Sequence, residues 1–187
     1  AILNKKREIK IIYTLNQNLF WLDGKFKLVD RKKPQIKILD KYALNKLSGN
    51  LPHQGILADV KSLEWPSLDD VLISLQNKTS RIVILDQVSD PQNIGSIIRI
   101  SQAFKVDAIV TTKKHVPNEN GLMVKASAGA IENLPLIRVT NLVRAIDTLK
   151  NKNFEVIGLE KKGSHKLEEI SHFPRIALVL GSEGSGM

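Results

Sequence analysis

From residue 81 onward the chain repeats one pattern: a short uninterrupted apolar run, a polar loop, then a stretch of helical spacing. The runs are "RIVILD", "DAIVT" (Asp107–Thr111), "LIRV" (Leu136–Val139), "FEVIGL" (Phe154–Leu159) and "RIALVLG". "NIGSIIRISQAF" (Asn93–Phe104) supplies one helix, with Ile94, Ile97, Ile98, Ile100 and Ser101 on one broad face, and "NLVRAIDTLKNK" supplies another. A strand that is apolar at consecutive positions has no face for water, so both of its faces must be covered. A parallel sheet flanked by helices does this, and the expected fold class is α/β. In open parallel sheets, ligands sit outside the carboxyl ends of the strands. Three polar loops fall at such ends: Asp86–Asn93, Gly158–Gly163 and Gly181–Gly186.

Residues 1–62 read differently. "IKIIYTL" (Ile9–Leu15), "FKLVD" (Phe26–Asp30) and "IKILD" (Ile36–Asp40) have strand composition and are punctuated by Asp23-Gly24 and Pro34. "KYALNKL" is a short helix and "GILADVK" (Gly55–Lys61) a further strand, so this stretch is a small α/β domain. "AILNKKREIK" reads as the inside of an opening helix, with a few residues before it. In "SLEWPSLDDVLISLQNK", Pro66 breaks the chain, Ser67 is a good N-cap, and Asp69 and Asp70 complement the helix dipole. These signals place a linker at 63–67 and a second domain at 68–187.

The formal charge is +9, unevenly distributed. The first 50 residues hold 12 Lys/Arg against 4 Asp/Glu, and the remainder hold 16 against 15. Cations concentrated in this way suit a polyanion, because each phosphate they neutralise releases counterions; nucleic acid is the expected partner. No cysteine is present, which excludes disulfides and thiolate metal sites and fits a reducing compartment. No signal-like or membrane-spanning apolar run is seen, so the expectation is a cytoplasmic location and no membrane partner. His53, His115, His165 and His172 are scattered without zinc-like spacing, so no metal is expected.

Two loops invite a functional reading beside a plain one. "GSEGSG" places Gly181, Gly184 and Gly186 after a strand, without a dinucleotide fingerprint or a P-loop lysine. Its glycines could admit close backbone approach to a ligand or could form an ordinary strand-to-helix turn. In "DPQNIGSIIR", Asn93 suits a helix cap and Arg99 lies nearly two turns further on. The pair could hold a phosphate or ribose, or Arg99 could extend into solvent. His53, in "HQG", sits in a turn with no obvious partner nearby.

Taken together, "LDQVSDPQNIGSIIRISQAF", "KASAGAIENLPLIRV" and "ALVLGSEGSGM" resemble, in order and spacing, the signature blocks of the SpoU (TrmH-type) RNA ribose 2′-O-methyltransferases of the SPOUT superfamily. "LPHQGILADV" looks like the end of that family's small substrate-binding domain, which is similar to ribosomal protein L30e. The resemblance covers almost the whole chain and is nearest to the branch that methylates a guanosine ribose in 23S rRNA. It implies a parallel-sheet domain with a trefoil knot, a rare exception to unknotted folding. S-adenosylmethionine is the implied cofactor and RNA, most simply rRNA, the implied partner. A homodimer with its active site near the subunit interface is implied as well. Asn93, Arg99 and Glu183 match the catalytic positions. Gly158, Leu159 and Gly181 match positions that contact the cofactor. Arginine stays protonated in proteins, so Arg99 is expected to bind a phosphate and stabilise a developing alkoxide. The resemblance also expects a third motif after Met187, a proline-containing loop and a Ser-Leu-Asn helix; without it the chain is expected to bind the cofactor poorly.

Three other readings carry distinct signals. A tRNA guanosine 2′-O-methyltransferase shares most of these blocks. A non-catalytic RNA-binding protein would keep the basic domain, but Asn93, Arg99 and Glu183 are all retained. A nucleotide-dependent oxidoreductase lacks its expected glycine fingerprint after "RIVILD".

Overall fold

The computed structural model describes every residue except 5, 6, 31, 77, 115, 161, 162, 164, 165, 171 and 183–187. The chain divides into two units, Ala1–Leu63 and Glu64–Met187.

In the first unit, β1 (Ile9–Thr14) leads into α1 (Leu19–Leu28), β2 (Gln35–Ile38), α2 (Lys41–Leu47) and β3 (Ile56–Val60). The central strand β1 pairs parallel with β2 and antiparallel with β3. Ile9 and Ile12 of β1 meet Leu22 and Phe26 of α1 in a small core, with Ile36, Ile56 and Val60 packed against it. Leu22 and Phe26 are one helical turn apart, and burying both on one face requires a helix. This corrects the expected strand at "FKLVD", whose first three residues close α1. The Lys-Phe-Lys-Leu alternation imitates a strand, but the pairing with Leu22 decides. The opening helix expected in "AILNKKREIK" is also absent among the described residues: Asn4 N–H closes a turn onto Ala1 O at 3.1 Å, and Ile9 already begins β1. Helix α2 forms as its sequence predicts, capped by Asp40, whose carboxylate accepts from Ala43 N–H at 2.7 Å.

The second unit opens with α3 (Leu68–Ser74). Ser67 Oγ accepts from Asp70 N–H at 3.1 Å, and the Asp70 carboxylate accepts from Ser67 N–H at 3.2 Å, a complete capping box. There follow β4 (Ser80–Leu85), α4 (Pro91–Ala103), β5 (Ala108–Thr112), α5 (Gly121–Ala126), β6 (Leu136–Val139), α6 (Leu142–Lys150), β7 (Glu155–Gly158) and β8 (Arg175–Leu180). The strands form one sheet in the order β6-β5-β4-β8-β7, parallel throughout. Ile82, Ile84, Val110 and Ala177 pack with Val71 and Leu72 of α3 and with Leu149 of α6. The alternate residues Val83, Leu85, Ile109 and Ile176 are buried too. Both faces of the central strands are therefore covered, as their continuous apolar sequences require.

Helix α4 runs against α5. A Cβ at Gly95 would stand 2.5 Å from Met123 O and 2.7 Å from Ala126 Cβ, so the close approach depends on glycine. The buried stripe of α4 is Ile94, Gly95, Ile98 and Ser101. Ile100, expected on that face, is instead 57% exposed. Among the described residues no helix is long and apolar enough to cross a membrane. The knot implied by the resemblance would be closed by chain beyond Ser182, outside the described residues.

Candidate active site

β4 and β8 are neighbours in the middle of the sheet, and their connections run to opposite sides: β4 continues through α4 to β5, whereas β8 is reached from β7. Such a switch point leaves a crevice outside the carboxyl ends of the two strands. A cavity of about 350 Å³ opens there. Its wall is the loop Gln87–Asp90, Asn93 and Ile97 of α4, and Leu180–Ser182 at the end of β8. Asp86 N–H donates to Leu180 O at 2.9 Å, which ties the two strand ends together. Gln87 then takes a left-handed conformation, with φ of 57°, and turns the chain toward α4.

The N-cap of α4 is Asp90, whose carboxylate accepts from Gln92 N–H at 3.1 Å. Pro91 follows at the first helical position, where its fixed φ fits and no N–H is needed. The cap expected at Asn93 therefore lies three residues earlier. The shift has a consequence: Asn93 sits inside the first turn and shares the cavity wall with Ile97, one turn further along the same face.

The other residues singled out from the sequence divide into two groups. Gly181 lines the cavity beside Asn93. Gly158 and Leu159 lie at the end of the adjoining strand. Gly158 is in register with Val179, and Leu159 N–H donates to Val179 O at 3.1 Å while its side chain is exposed. Arg99 does not line the cavity. It is exposed on α4, about 9 Å along the axis from Asn93 and roughly a third of a turn around it. Ile100 and Phe104 continue the line of Asn93 and Ile97 along α4 as an apolar strip, with Phe104 78% exposed. Glu183, Gly184 and Gly186 lie outside the described residues.

Gln87, Ser89, Asp90 and Ser182 join the wall without having been singled out, although each falls in a loop placed at a strand end. Asp90 supplies the single charged side chain among the described lining residues. His53 proves to be structural. Its Nδ1 accepts from Gly55 N–H at 3.0 Å, so Nε2 carries the hydrogen and donates to Asn45 Oδ1 at 2.8 Å. The partner missing from the sequence reading comes from α2, eight residues back. No cluster of three or more metal-binding side chains occurs among the described residues.

Residues 80–187 match the model of the SpoU rRNA Methylase family, and residues 1–66 match that for RNA 2′-O ribose methyltransferase substrate binding. The chain belongs to the SpoU methylase family. A Staphylococcus saprophyticus protein assigned to the TrmH family of tRNA/rRNA methyltransferases is 35% identical over 163 residues, which is 86% of this chain and 65% of that protein. A Staphylococcus aureus counterpart is 39% identical over 140 residues, 74% of this chain and 56% of its own length. This SpoU family chain thus spans somewhat more than half the length of the curated relatives it matches. Among solved structures, the AdoMet-bound rRNA methyltransferase from Sinorhizobium meliloti superimposes with a TM-score of 0.77 at 20% identity, covering 100% of this chain and 68% of that one. The SpoU methyltransferase AviRb from Streptomyces viridochromogenes, in complex with AdoMet, gives 0.76 at 17% identity, covering 99% and 70%. At such identities the likeness establishes a shared fold, a parallel-sheet α/β architecture.

Proposed function

We propose that this chain acts in transfer of a methyl group from S-adenosylmethionine to a ribose 2′-hydroxyl of RNA, with a guanosine of 23S rRNA as substrate. The supporting observation is the cavity at the β4–β8 switch point, with Asn93 and Gly181 on its wall. It occurs in a chain whose two parts match a substrate-binding model and a methylase model in succession.

The described residues fit the cofactor. Among the described lining residues, Asp90 carries a carboxylate and none is a lysine or arginine, which suits a sulfonium cation. The exposed side chain of Leu159, next to β8, offers apolar surface for an adenine ring. Gly158, Leu159 and Gly181 are the residues that would hold the cofactor. When bound, it supplies a methyl group already activated on sulfur. The remaining work is positioning and charge stabilisation, which this chain's residues perform. Asn93 orients the ribose at the cavity wall, and Glu183, outside the described residues, is assigned the role of tying its loop to Asn93 or Arg99. Arg99, permanently charged, grips the adjacent phosphate and stabilises the developing charge on the ribose oxygen as its proton passes to water.

Arg99 does not line its own subunit's cavity, and the exposed Ile100 and Phe104 on the same helix support a homodimer in which Arg99 works at the interface. A cytoplasmic location accords with an RNA substrate. The test is transfer of labelled methyl from S-adenosylmethionine to rRNA and tRNA transcripts by the protein in its natural length, followed by mapping of 2′-O-methyl sites. Label in tRNA alone would move the substrate to the tRNA branch. Retained RNA binding with no label on either RNA would favour the non-catalytic reading. Calorimetry showing affinity for NADH and none for S-adenosylmethionine would favour the oxidoreductase.

A further inference from the structure

Helix α1 carries its apolar residues on two opposite faces. Leu22 and Phe26 point into the core of the first unit. On the far side, Phe20 and Leu28 are 91% and 73% exposed. Two turns separate them, and Gly24 lies between on the same stripe. Beside the stripe, Trp21 is half exposed, and Lys25 Nζ stands 5.5 Å from its ring centroid. Lys27 is exposed on the other flank. The helix has one carboxylate, Asp23, and Lys33 Nζ holds it at 2.8 Å. The exposed face of α1 is therefore apolar, aromatic and cationic together.

Core packing does not require Gly24. A Cβ there would meet nothing within 4 Å. A glycine in a helix interior is less stable than alanine, so the fold carries a cost without a packing reason. What the glycine leaves is a flat notch between Phe20 and Leu28, with the Trp21 indole alongside. Flat aromatic surfaces flanked by lysines are how proteins bind unpaired nucleotides: the bases stack and the cations follow the phosphates. Charge favours this occupant over an apolar protein or a second copy, since 12 Lys/Arg stand against 4 Asp/Glu in the first 50 residues.

We infer that the outer face of α1 is a stacking platform for unpaired bases of a single-stranded RNA segment, with Phe20 and Trp21 under the bases and Lys25 and Lys27 at the phosphates. The inference rests on the RNA-substrate reading above and deepens it: the first unit selects RNA with an open strand, not a continuous duplex.

The test is fluorescence anisotropy with the full chain, using a labelled unstructured oligoribonucleotide and a blunt RNA duplex over a range of salt. The double variant Phe20→Ala/Trp21→Ala should bind the single strand at least tenfold more weakly and the duplex nearly as before. Its salt slope should be unchanged, because stacking releases no counterions. Lys25→Ala/Lys27→Ala should flatten the slope instead. Trp21→Tyr keeps an aromatic face and should retain most of the affinity. Gly24→Ala should bind the single strand less well while unfolding at higher temperature, a combination that misfolding cannot produce. In a Trp65→Phe background, oligonucleotide should quench Trp21 emission. Equal losses on both RNAs, or no loss in the aromatic variant while wild type binds RNA, overturns the platform and leaves the RNA reading standing. Failure of wild type to bind either RNA overturns both. If the aromatic variant loses self-association or binding to anionic vesicles and keeps its affinity for the single strand, the face belongs to another partner and the platform is overturned.

Discussion

Helices α1 and α4 each hold a glycine in their interior, Gly24 in the first unit and Gly95 in the second. Around Gly95 the fold leaves no room: backbone of α5 stands where a Cβ would go. Around Gly24 it leaves nothing but room. One glycine lets two helices approach and so fixes the first turn of α4, where Asn93 meets the cavity. The other serves no contact among the described residues. In the second unit the candidate site grows out of packing, at the ends of buried strands. In the first unit the proposed platform lies on a helix face that the core of that unit does not use.

Substitutions at four positions test that contrast. The largest effect is expected at Arg99, exposed on α4 one turn beyond Gly95. Arg99→Ala should lower single-turnover methylation about a hundredfold or more, as loss of one charge-stabilising donor does. Its stability should change by less than about 1 kcal/mol, as for most surface positions. Arg99→Lys should not restore the rate, since lysine lacks the planar fork. Wild-type rates in Arg99→Ala would refute the catalytic assignment, and Arg99→Lys activity that climbs with pH would refute a permanently charged role. Next comes Gly95→Ala, which should destabilise the protein by about 1–3 kcal/mol through overpacking against α5, read as a fall in the urea midpoint. An unchanged midpoint would mean the helices can separate freely.

A smaller effect is expected at the start of α3. The Ser67 hydroxyl and backbone N–H hold the Asp70 carboxyl below its ordinary value of 3.8. A carboxylate depressed by folding stabilises above its unfolded pKa, and that contribution is lost as pH falls through the folded value. Ser67→Ala should therefore be less stable than wild type at neutral pH, and the gap should narrow below about pH 4. A gap constant down to pH 2 would show that the carboxylate takes no part. The smallest change, and the one of opposite sign, is Gly24→Ala, which should stabilise by about 0.5–1 kcal/mol in thermal unfolding. Destabilisation there would erase the distinction between the two glycines.

The second unit was the easier to read, for a physical reason. Strands buried on both faces must be apolar at every position, and that signature survives without knowledge of their neighbours. Strand order is different, since nothing local in "RIALVLG" says that it pairs with "RIVILD". Helix α5, with six residues, is too short to show a period. In the first unit "FKLVD" fits both a period of two and a period of 3.6, and only the distant partner Ile12 settles it by packing with Leu22 and Phe26. Because the sequence predicts a strand there, it hides the outer face of α1. At the site, the loops were legible from the strand ends, whereas the place of Arg99 depends on the rotation of α4 about its own axis. The cap of α4 could have been Asp90 or Asn93 by residue type, and Pro91 decides for Asp90.

The central position of β8 also sets an order of events during synthesis. Ser80 pairs with Arg175 and Leu85 with Leu180, so the middle of the sheet stays open until residue 180 has left the ribosome. Until then one side of β4 is an unpaired apolar edge, the kind of surface that joins to other chains. Contacts this distant in sequence form slowly, because the intervening chain must be ordered first. The pairing of β4 with β8 is therefore among the last contacts of the sheet to become available, and until it forms the open edge of β4 is a point of exposure to aggregation.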